Sequence, residues 1–172
     1  GINSRNTDEA FSKARYNTSA NYLTGTLSIQ RLLNLDREWS VFSRAVVQVA
    51  TANVPGSEQL SIGGSATVRG FDERIYTGDQ GFVFSNDVQS PVLRHTLPFL
   101  KKHPPLETRF IAFYDAAQVY YTHRDLNDIR FSPLASTGVG IRMTLPVNFT
   151  LSADYGWQIT HLTYPSPTHS RG

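Results

Sequence analysis

A strict two-residue alternation near the carboxyl end of the sequence limits the possible folds more than any other feature. Apolar side chains occupy every odd position from Val147 to Ile159, whereas polar residues or glycine occupy every even position from Asn148 to Thr160. Such alternation places successive side chains on opposite faces of a β-strand. Fourteen residues are many for a soluble strand, where about five or six is typical, but they suit a tilted strand that crosses an apolar band about 25 Å tall. The pattern therefore predicts a strand that spans a membrane.

The same alternation, in a less regular form, recurs in five earlier segments of the sequence. We predict strands at 21–33, 39–49, 81–93, 107–121 and 134–145. The connections between these strands lie at 34–38, 53–80, 95–105, 122–133 and near Pro146. Short turns at one end and longer loops at the other are typical of outer-membrane barrels. The predicted fold class is therefore all-β, an antiparallel transmembrane β-barrel.

The number of predicted strands is too small for a complete barrel. Six strands cannot close even the smallest bacterial barrel, which has about eight, and unpaired strand edges are not tolerated in lipid. We therefore expect residues 1–172 to be the C-terminal part of one barrel domain, without its first strands and its last strand. Within this part, Arg31 interrupts an apolar face and should lie at the membrane boundary, where a cation costs little.

Composition and motifs exclude several other classes of function. The sixteen basic residues are scattered, with no run longer than Lys101-Lys102, and the net charge is only +2, so no nucleic-acid partner is expected. The absence of cysteine excludes thiolate metal sites and cysteine nucleophiles. The five histidines lack metal-ligand spacing, and Ser65 lacks the Gly-x-Ser-x-Gly pattern of a hydrolase. We expect no catalytic residues, no cofactor, no metal and no enzymatic activity.

The long connection at 53–80 holds the most unusual motif of the sequence. Loops of this length in compact domains are usually functional. Its centre, Val68-Arg69-Gly70-Phe71, places a cation and an aromatic ring on either side of a glycine. The glycine allows the backbone to turn sharply, so that both flanking side chains can point at a neighbouring element.

Two further segments follow this motif in an order that is typical of one superfamily. Gly78-Asp79 precedes a predicted strand that ends with residues 86–91 (NDVQSP), and residues 113–117 (FYDAA) lie on a later strand. In this order the segments resemble the carboxy-terminal barrel half of the Omp85 superfamily. The flanking segments at 58–64 and 74–81 most resemble its two-partner secretion transporters (TpsB), the haemolysin-activator type.

The resemblance implies an outer-membrane barrel of about sixteen strands, preceded by periplasmic POTRA domains that are absent from this sequence. It also implies that the loop at 53–80 folds back into the lumen. There Arg69 would pair with Asp115 on the barrel wall, beside Phe113. The family usually has glycine two residues after the aspartate, where this sequence has Ala117. The methyl group of Ala117 would then occupy space that is expected to be closely packed around a glycine.

Electrostatics supports the same pairing without reference to the family. Asp115 falls on the inward register of its predicted strand, and a carboxylate inside a barrel is costly unless it is paired or hydrated. The planar guanidinium of Arg69 can bind a carboxylate with two hydrogen bonds. A buried pair adds little net stability, so we expect it to serve by fixing one position of the loop. The alternative is that Arg69 is an ordinary solvated arginine.

The resemblance also implies partners and a location. The protein would carry a large secreted protein of the TpsA type, such as a haemolysin or adhesin, to the cell surface. It would lie in the outer membrane of a Gram-negative bacterium, in contact with lipid and lipopolysaccharide. Three alternatives stay open: a barrel-assembly or insertase protein of the same superfamily, a passive porin, and a soluble β-sandwich binding domain. The apolar face from Val147 to Ile159 opposes the last, because it predicts aggregation or insertion into micelles.

Overall fold

The computed structural model describes residues 22–96, 105–123, 132–145 and 149–162. These residues form an antiparallel sheet of seven strands and a separate ladder of two short strands. In chain order the strands are β1 (Thr24–Asn34), β2 (Ser40–Ala50), β3 (Leu60–Ile62), β4 (Tyr76–Gly78), β5 (Gln80–Gln89), β6 (Leu93–His95), β7 (Leu106–Tyr120), β8 (Ser132–Leu145) and β9 (Phe149–Gln158). A 3-10 turn at Asp36–Glu38 joins β1 to β2. No helix in the described part of the chain is long and apolar enough to cross a membrane.

The large sheet is a meander in which each long strand pairs with the next. Its order is β1-β2-β5-β7-β8-β9, and β6 pairs with the first residues of β7. The long loop that contains β3 and β4 lies between β2 and β5 in the chain, but β2 and β5 are still neighbours in the sheet. The prediction of an all-β, antiparallel fold is confirmed. Over the described residues the sheet does not close, which is consistent with part of a barrel.

Each of the six strands predicted from alternation is present, but the prediction is wrong in two places. The strand predicted at 81–93 ends at Gln89 and resumes as β6 at Leu93. Pro91 lies in this interruption, and a residue without an N–H group cannot continue the pairing. The second error concerns the loop at 53–80, which shows no clear strand in the sequence but forms β3 and β4. Strands of three residues are too short for alternation to reveal them.

Other predictions concern strand ends or residues that are not described. His95, which the sequence placed in a turn at 95–105, is the last residue of β6. Arg31 is exposed near the end of β1, and its position relative to a membrane stays a prediction. Most of the turn at 95–105, most of the loop at 122–133 and the turn near Pro146 lie outside the described residues.

One side of the sheet, here called the apolar face, leaves large hydrophobic side chains in contact with solvent. Strand register aligns these side chains in rows, so that Leu27, Val47 and Phe82 lie beside one another on β1, β2 and β5. Exposed members of this face include Leu27, Ile29, Val47, Val49, Phe82, Phe84, Phe110, Tyr114, Val139, Leu151, Tyr155 and Trp157. A continuous apolar surface of this kind is unfavourable in water and marks contact with a membrane or another protein.

The opposite side, here called the loop face, packs against the long loop at residues 51–79. The contact is a hydrophobic cluster formed by the sheet and the loop together: Val46, Ile62, Val68, Phe71, Val83, Ala117, Val119 and Leu134. Ile62 and Val68, both from the loop, are fully buried. Complete burial of a side chain of this size contributes about 1.5–3 kcal/mol. Apolar packing therefore holds the loop against the sheet in addition to its polar contacts.

Candidate functional site

The tip of the long loop (residues 63–75) has internal hydrogen bonds that set its shape. Thr67 donates from Oγ1 to the carbonyl of Gly63 at 2.8 Å. Glu73 accepts from the N–H of Ser65 at 2.9 Å and from its hydroxyl at 3.0 Å. These bonds join residues within the tip to one another.

Arg69 extends from the tip to Asp115 of β7. Its Nε lies 2.7 Å from Oδ2 of Asp115 and its Nη2 lies 2.8 Å from Oδ1, so the guanidinium binds both carboxylate oxygens. The backbone N–H of Arg69 also donates to Oδ2, at 3.1 Å. Asp115 is fully buried, and Arg69 is 8% exposed. A bidentate, charge-assisted pair in a buried site fixes both the position and the orientation of the arginine.

A second carboxylate and a hydroxyl group also lie within hydrogen-bond distance of the Arg69 guanidinium. Nη2 of Arg69 lies 2.5 Å from Oδ1 of Asp87 and 3.3 Å from Oγ of Ser85. The same serine hydroxyl donates to Oδ1 of Asp115 at 2.6 Å. Ser85 lies directly opposite Asp115 in the register of β5 with β7. The pairing of these two strands therefore assembles the site that receives the loop.

The ring of Phe113 lies against the guanidinium of Arg69. The guanidinium carbon is 3.6 Å from the ring centre, and Phe113 is buried. Such a contact contributes about 2 kcal/mol or more where water is excluded.

The charge state of Arg69 follows from its surroundings. Burial alone lowers the pKa of Arg69, but its hydrogen bonds to Asp115 and Asp87 and the charges of both carboxylates outweigh burial and raise that pKa. Arg69 is therefore a permanent cation within what we call the tip cluster: Arg69, Ser85, Asp87, Phe113 and Asp115.

Two other residues of the loop motif lie in the hydrophobic cluster. Val68 is 0% exposed and Phe71 is 6% exposed. Ala117 lies in the same cluster, between its register neighbours Val83 and Leu134. The methyl group of Ala117 therefore packs into the core, and the loop docks with that methyl group in place.

Gly70, the remaining residue of the motif, contacts β9. Its φ is +90°, and a Cβ at this position would lie 2.8 Å from the carbonyl oxygen of Gly156. A Cβ on Gly156 would in turn lie 2.9 Å from the carbonyl of Arg69. Gln158 donates from Nε2 to the Gly70 carbonyl at 2.7 Å. The loop backbone thus touches the strand backbone because both positions lack a side chain.

A second arginine–aspartate pair on the loop face offers a comparison with the tip cluster. Nη1 and Nη2 of Arg142 bind Oδ1 and Oδ2 of Asp154 at 2.7 and 2.8 Å. This pair joins β8 to β9. Its side chains are 30% and 24% exposed, against 9% and 1% for Arg69 and Asp115. The two pairs have the same chemistry but differ in burial and in the elements that they connect.

The structure places the residues predicted from the sequence on the loop face, together with others that the prediction missed. The predicted residues are Val68, Arg69, Gly70, Phe71, Phe113, Asp115 and Ala117. The missed residues are Ser85, Asp87, Gly156 and Gln158. Ser85 and Asp87 lie on the polar side of a predicted strand, so pairing that strand with the next would have found them. The sequence holds no comparable signal for the contact with β9.

Comparison with known proteins assigns most of the chain to a family. The family model for haemolysin secretion/activation protein ShlB/FhaC/HecB matches residues 1–143. A search of curated proteins found no match. The matched range covers most of the chain and includes all five residues of the tip cluster. The resemblance to two-partner secretion transporters is confirmed. The chain belongs to the haemolysin secretion/activation protein family ShlB/FhaC/HecB.

Proposed function

We propose that this chain forms part of an outer-membrane pore that secretes a large partner protein. The apolar face lies against lipid and lipopolysaccharide, and the loop face lines the lumen. The transported partner is a secreted protein of the TpsA type. In this proposal the chain performs transport and no chemical reaction.

The supporting observation is the contrast between the two faces of the sheet. The apolar face exposes side chains such as Phe84, Val139 and Trp157, whereas the loop face holds buried charges under residues 51–79. A membrane barrel requires this contrast because its outer surface meets hydrocarbon and its interior is polar. A soluble sandwich would cover the apolar face with a second sheet. Here the small β3–β4 ladder packs on the loop face instead, through Ile62.

In this proposal Arg69 and Asp115 hold the loop tip at one position in the lumen. A buried ion pair adds little net stability, but removal of one partner costs about 3–5 kcal/mol where the other charge stays buried without compensation, and somewhat less for Arg69, which also binds Asp87. Such a pair is suited to selecting one position of the loop among several. A tip held at one position gives the lumen a defined shape before the partner protein enters.

A charge exchange in the full-length protein tests this role. Arg69→Asp and Asp115→Arg should each reduce the amount of partner protein at the cell surface, and the double variant should regain part of it. Rescue is expected to be partial because Asp87 would face a second carboxylate. Surface delivery is measured against the total partner protein, and barrel folding is measured by heat-modifiable migration in gels.

The Arg142–Asp154 pair supplies the matched control. Arg142→Asp changes the same charge on the same face but leaves the loop contacts intact, so secretion should stay near the level of the unsubstituted protein. Two folded single variants without rescue in the double variant would refute the direct pairing of Arg69 with Asp115. If removal of the whole gene leaves every secreted protein unchanged, the transport function itself is refuted.

A further inference from the structure

The two ends of the long loop are joined by a buried carboxylate. Asp79, which lies between β4 and β5, is fully buried. Its Oδ1 accepts from the N–H of Val54 at 3.1 Å and from Nε2 of Gln59 at 3.3 Å. Its Oδ2 accepts from the N–H of Thr122 at 3.0 Å. Asp79 therefore connects the start of the loop, the end of the loop and the segment that follows β7.

Asn53 makes a second connection at the same place. Its side-chain amide donates to the carbonyl of His123 and accepts from the N–H of His123, each at 2.7 Å. Asn53 is 2% exposed. Gln48 of β2 donates from Nε2 to the carbonyls of Glu58 and Asp79, at 2.9 and 3.2 Å. We call Gln48, Asn53 and Asp79 the base cluster.

Backbone contacts bring the same elements together. The N–H of Asp79 donates to the carbonyl of Tyr120 at 2.9 Å. A Cβ on Gly78 would lie 2.7 Å from the Cβ of Val119, so the end of the loop lies directly against β7. The side chains of the base cluster thus reinforce a close approach that the backbone already makes.

We infer that Asn53 and Asp79 are positioning residues that keep the base of the loop closed against residues 120–123 while the partner protein passes. This inference rests on the proposed transport function. The base cluster is enclosed, whereas a cavity of about 240 Å³ borders the tip at Arg69 and Asp87. The tip therefore has adjacent space into which it can move. A closed base makes the loop pivot from a fixed point rather than leave the sheet.

A disulfide across the base provides the direct test. The sequence contains no cysteine, so Asn53→Cys with His123→Cys adds one pair to this region of the full-length protein. The reduced variant lacks the Asn53 amide, and its secretion should fall several-fold. Oxidation should restore secretion to within about twofold of the unsubstituted protein, since it closes the base again. Secretion that stops on oxidation and returns on reduction would show that the base opens in transport and would overturn the inference.

A second test does not depend on forming a disulfide. Val54 is fully buried, so Val54→Cys reports opening of the base through its rate of reaction with a thiol reagent. In this background Asp79→Ala should raise the labelling rate by roughly tenfold or more, because the N–H groups of Val54 and Thr122 and the amide of Gln59 lose their acceptor. Secretion should fall, while the folded barrel keeps its migration in gels.

The two readouts separate the inference from the transport function. Faster labelling with full secretion would show that a closed base is not needed for transport. Unchanged labelling would show that Asp79 does not hold the base. If gene removal leaves secretion unchanged, the proposed function fails, but the labelling result still reports whether Asp79 closes the base.

Discussion

The long loop is attached to the sheet at its tip and at its base, and the two attachments use different chemistry. At the tip, the guanidinium of Arg69 binds the carboxylates of Asp115 and Asp87. At the base, Asn53 and Asp79 bind backbone groups of the loop and of the segment after β7. The polar attachment of the tip is a buried pairing of opposite charges. The base depends on several hydrogen bonds, which can be lost one at a time.

This difference predicts that each attachment can be opened without opening the other. Val68 at the tip and Val54 at the base are both fully buried, so cysteines at these two positions are matched reporters of local opening. Each variant below is made with either reporter in the full-length protein, in order of decreasing expected effect. The comparison fails if a variant at one end opens both ends equally.

Asp115→Asn should have the largest effect on the tip. The variant keeps the shape of the side chain but removes the charge that faces Arg69 in a fully buried site. Because Arg69 keeps Asp87 as a partner, the expected cost lies at the lower end of the usual range, about 3 kcal/mol, which corresponds to an increase of roughly a hundredfold in labelling at Val68→Cys. Labelling at Val54→Cys should not change. An equal rise at both reporters would show that the base depends on the tip.

Gly156→Ala should have the next largest effect, again at the tip. A methyl group there would lie 2.9 Å from the carbonyl of Arg69, so the loop backbone must move away from β9. Overpacking of this kind costs about 1–3 kcal/mol. The control is Gly25→Ala, whose Cβ would meet Val49 at an ordinary 3.6 Å. If labelling at Val68→Cys is the same in both variants, the close approach does not position the loop.

Asn53→Ala tests the base. The variant removes two hydrogen bonds to His123, whose N–H and carbonyl can then bind water because His123 is exposed. We therefore expect a cost of about 1 kcal/mol, with faster labelling at Val54→Cys. Labelling at Val68→Cys should stay constant, since the charge pair at the tip is intact. Faster labelling at Val68→Cys alone would contradict the assignment of Asn53 to the base.

Glu73→Gln should have the smallest effect. Glu73 is exposed and binds Ser65 within the tip rather than the sheet. Because glutamine keeps an oxygen that can accept from Ser65, this replacement should cost about 0.5 kcal/mol, with little change at either reporter. Secretion should remain near the level of the unsubstituted protein. A loss of secretion comparable to that of Asp115→Asn would show that the internal shape of the tip matters more than its anchor.

Alternation in the sequence is sufficient to locate the long strands because each is half apolar over ten residues or more, as in β9 (Phe149–Gln158). It fails for β3 and β4, which have three residues each. It also fails to show where the ladder is interrupted before β6, although Pro91 is a local signal for that break. Periodicity therefore predicts elements that are long enough to show a period.

Some residues of the candidate site can likewise be predicted from the sequence, and others cannot. The pairing of Arg69 with Asp115 can be predicted from the sequence because Asp115 is expected to face inward, where a carboxylate requires a cation, and Arg69 is a cation on the long loop. Ser85 and Asp87 depend on the register of β5 with β7, which alternation alone does not specify. The contact with Gly156 cannot be predicted from local sequence, since it depends on how far the loop crosses the sheet.

By itself, the sequence determined that the chain is all-β and that its strands have one apolar face, and it predicted an acidic partner for a cation of the long loop. These properties follow from the order of polar and apolar side chains along the chain. Only the tertiary structure decided that Arg69 has two carboxylate partners and that Asn53 and Asp79 close the loop at its base. Such contacts join residues far apart in sequence, as with Asn53 and His123, so they exist only once the strands have paired and the loop has packed on the sheet.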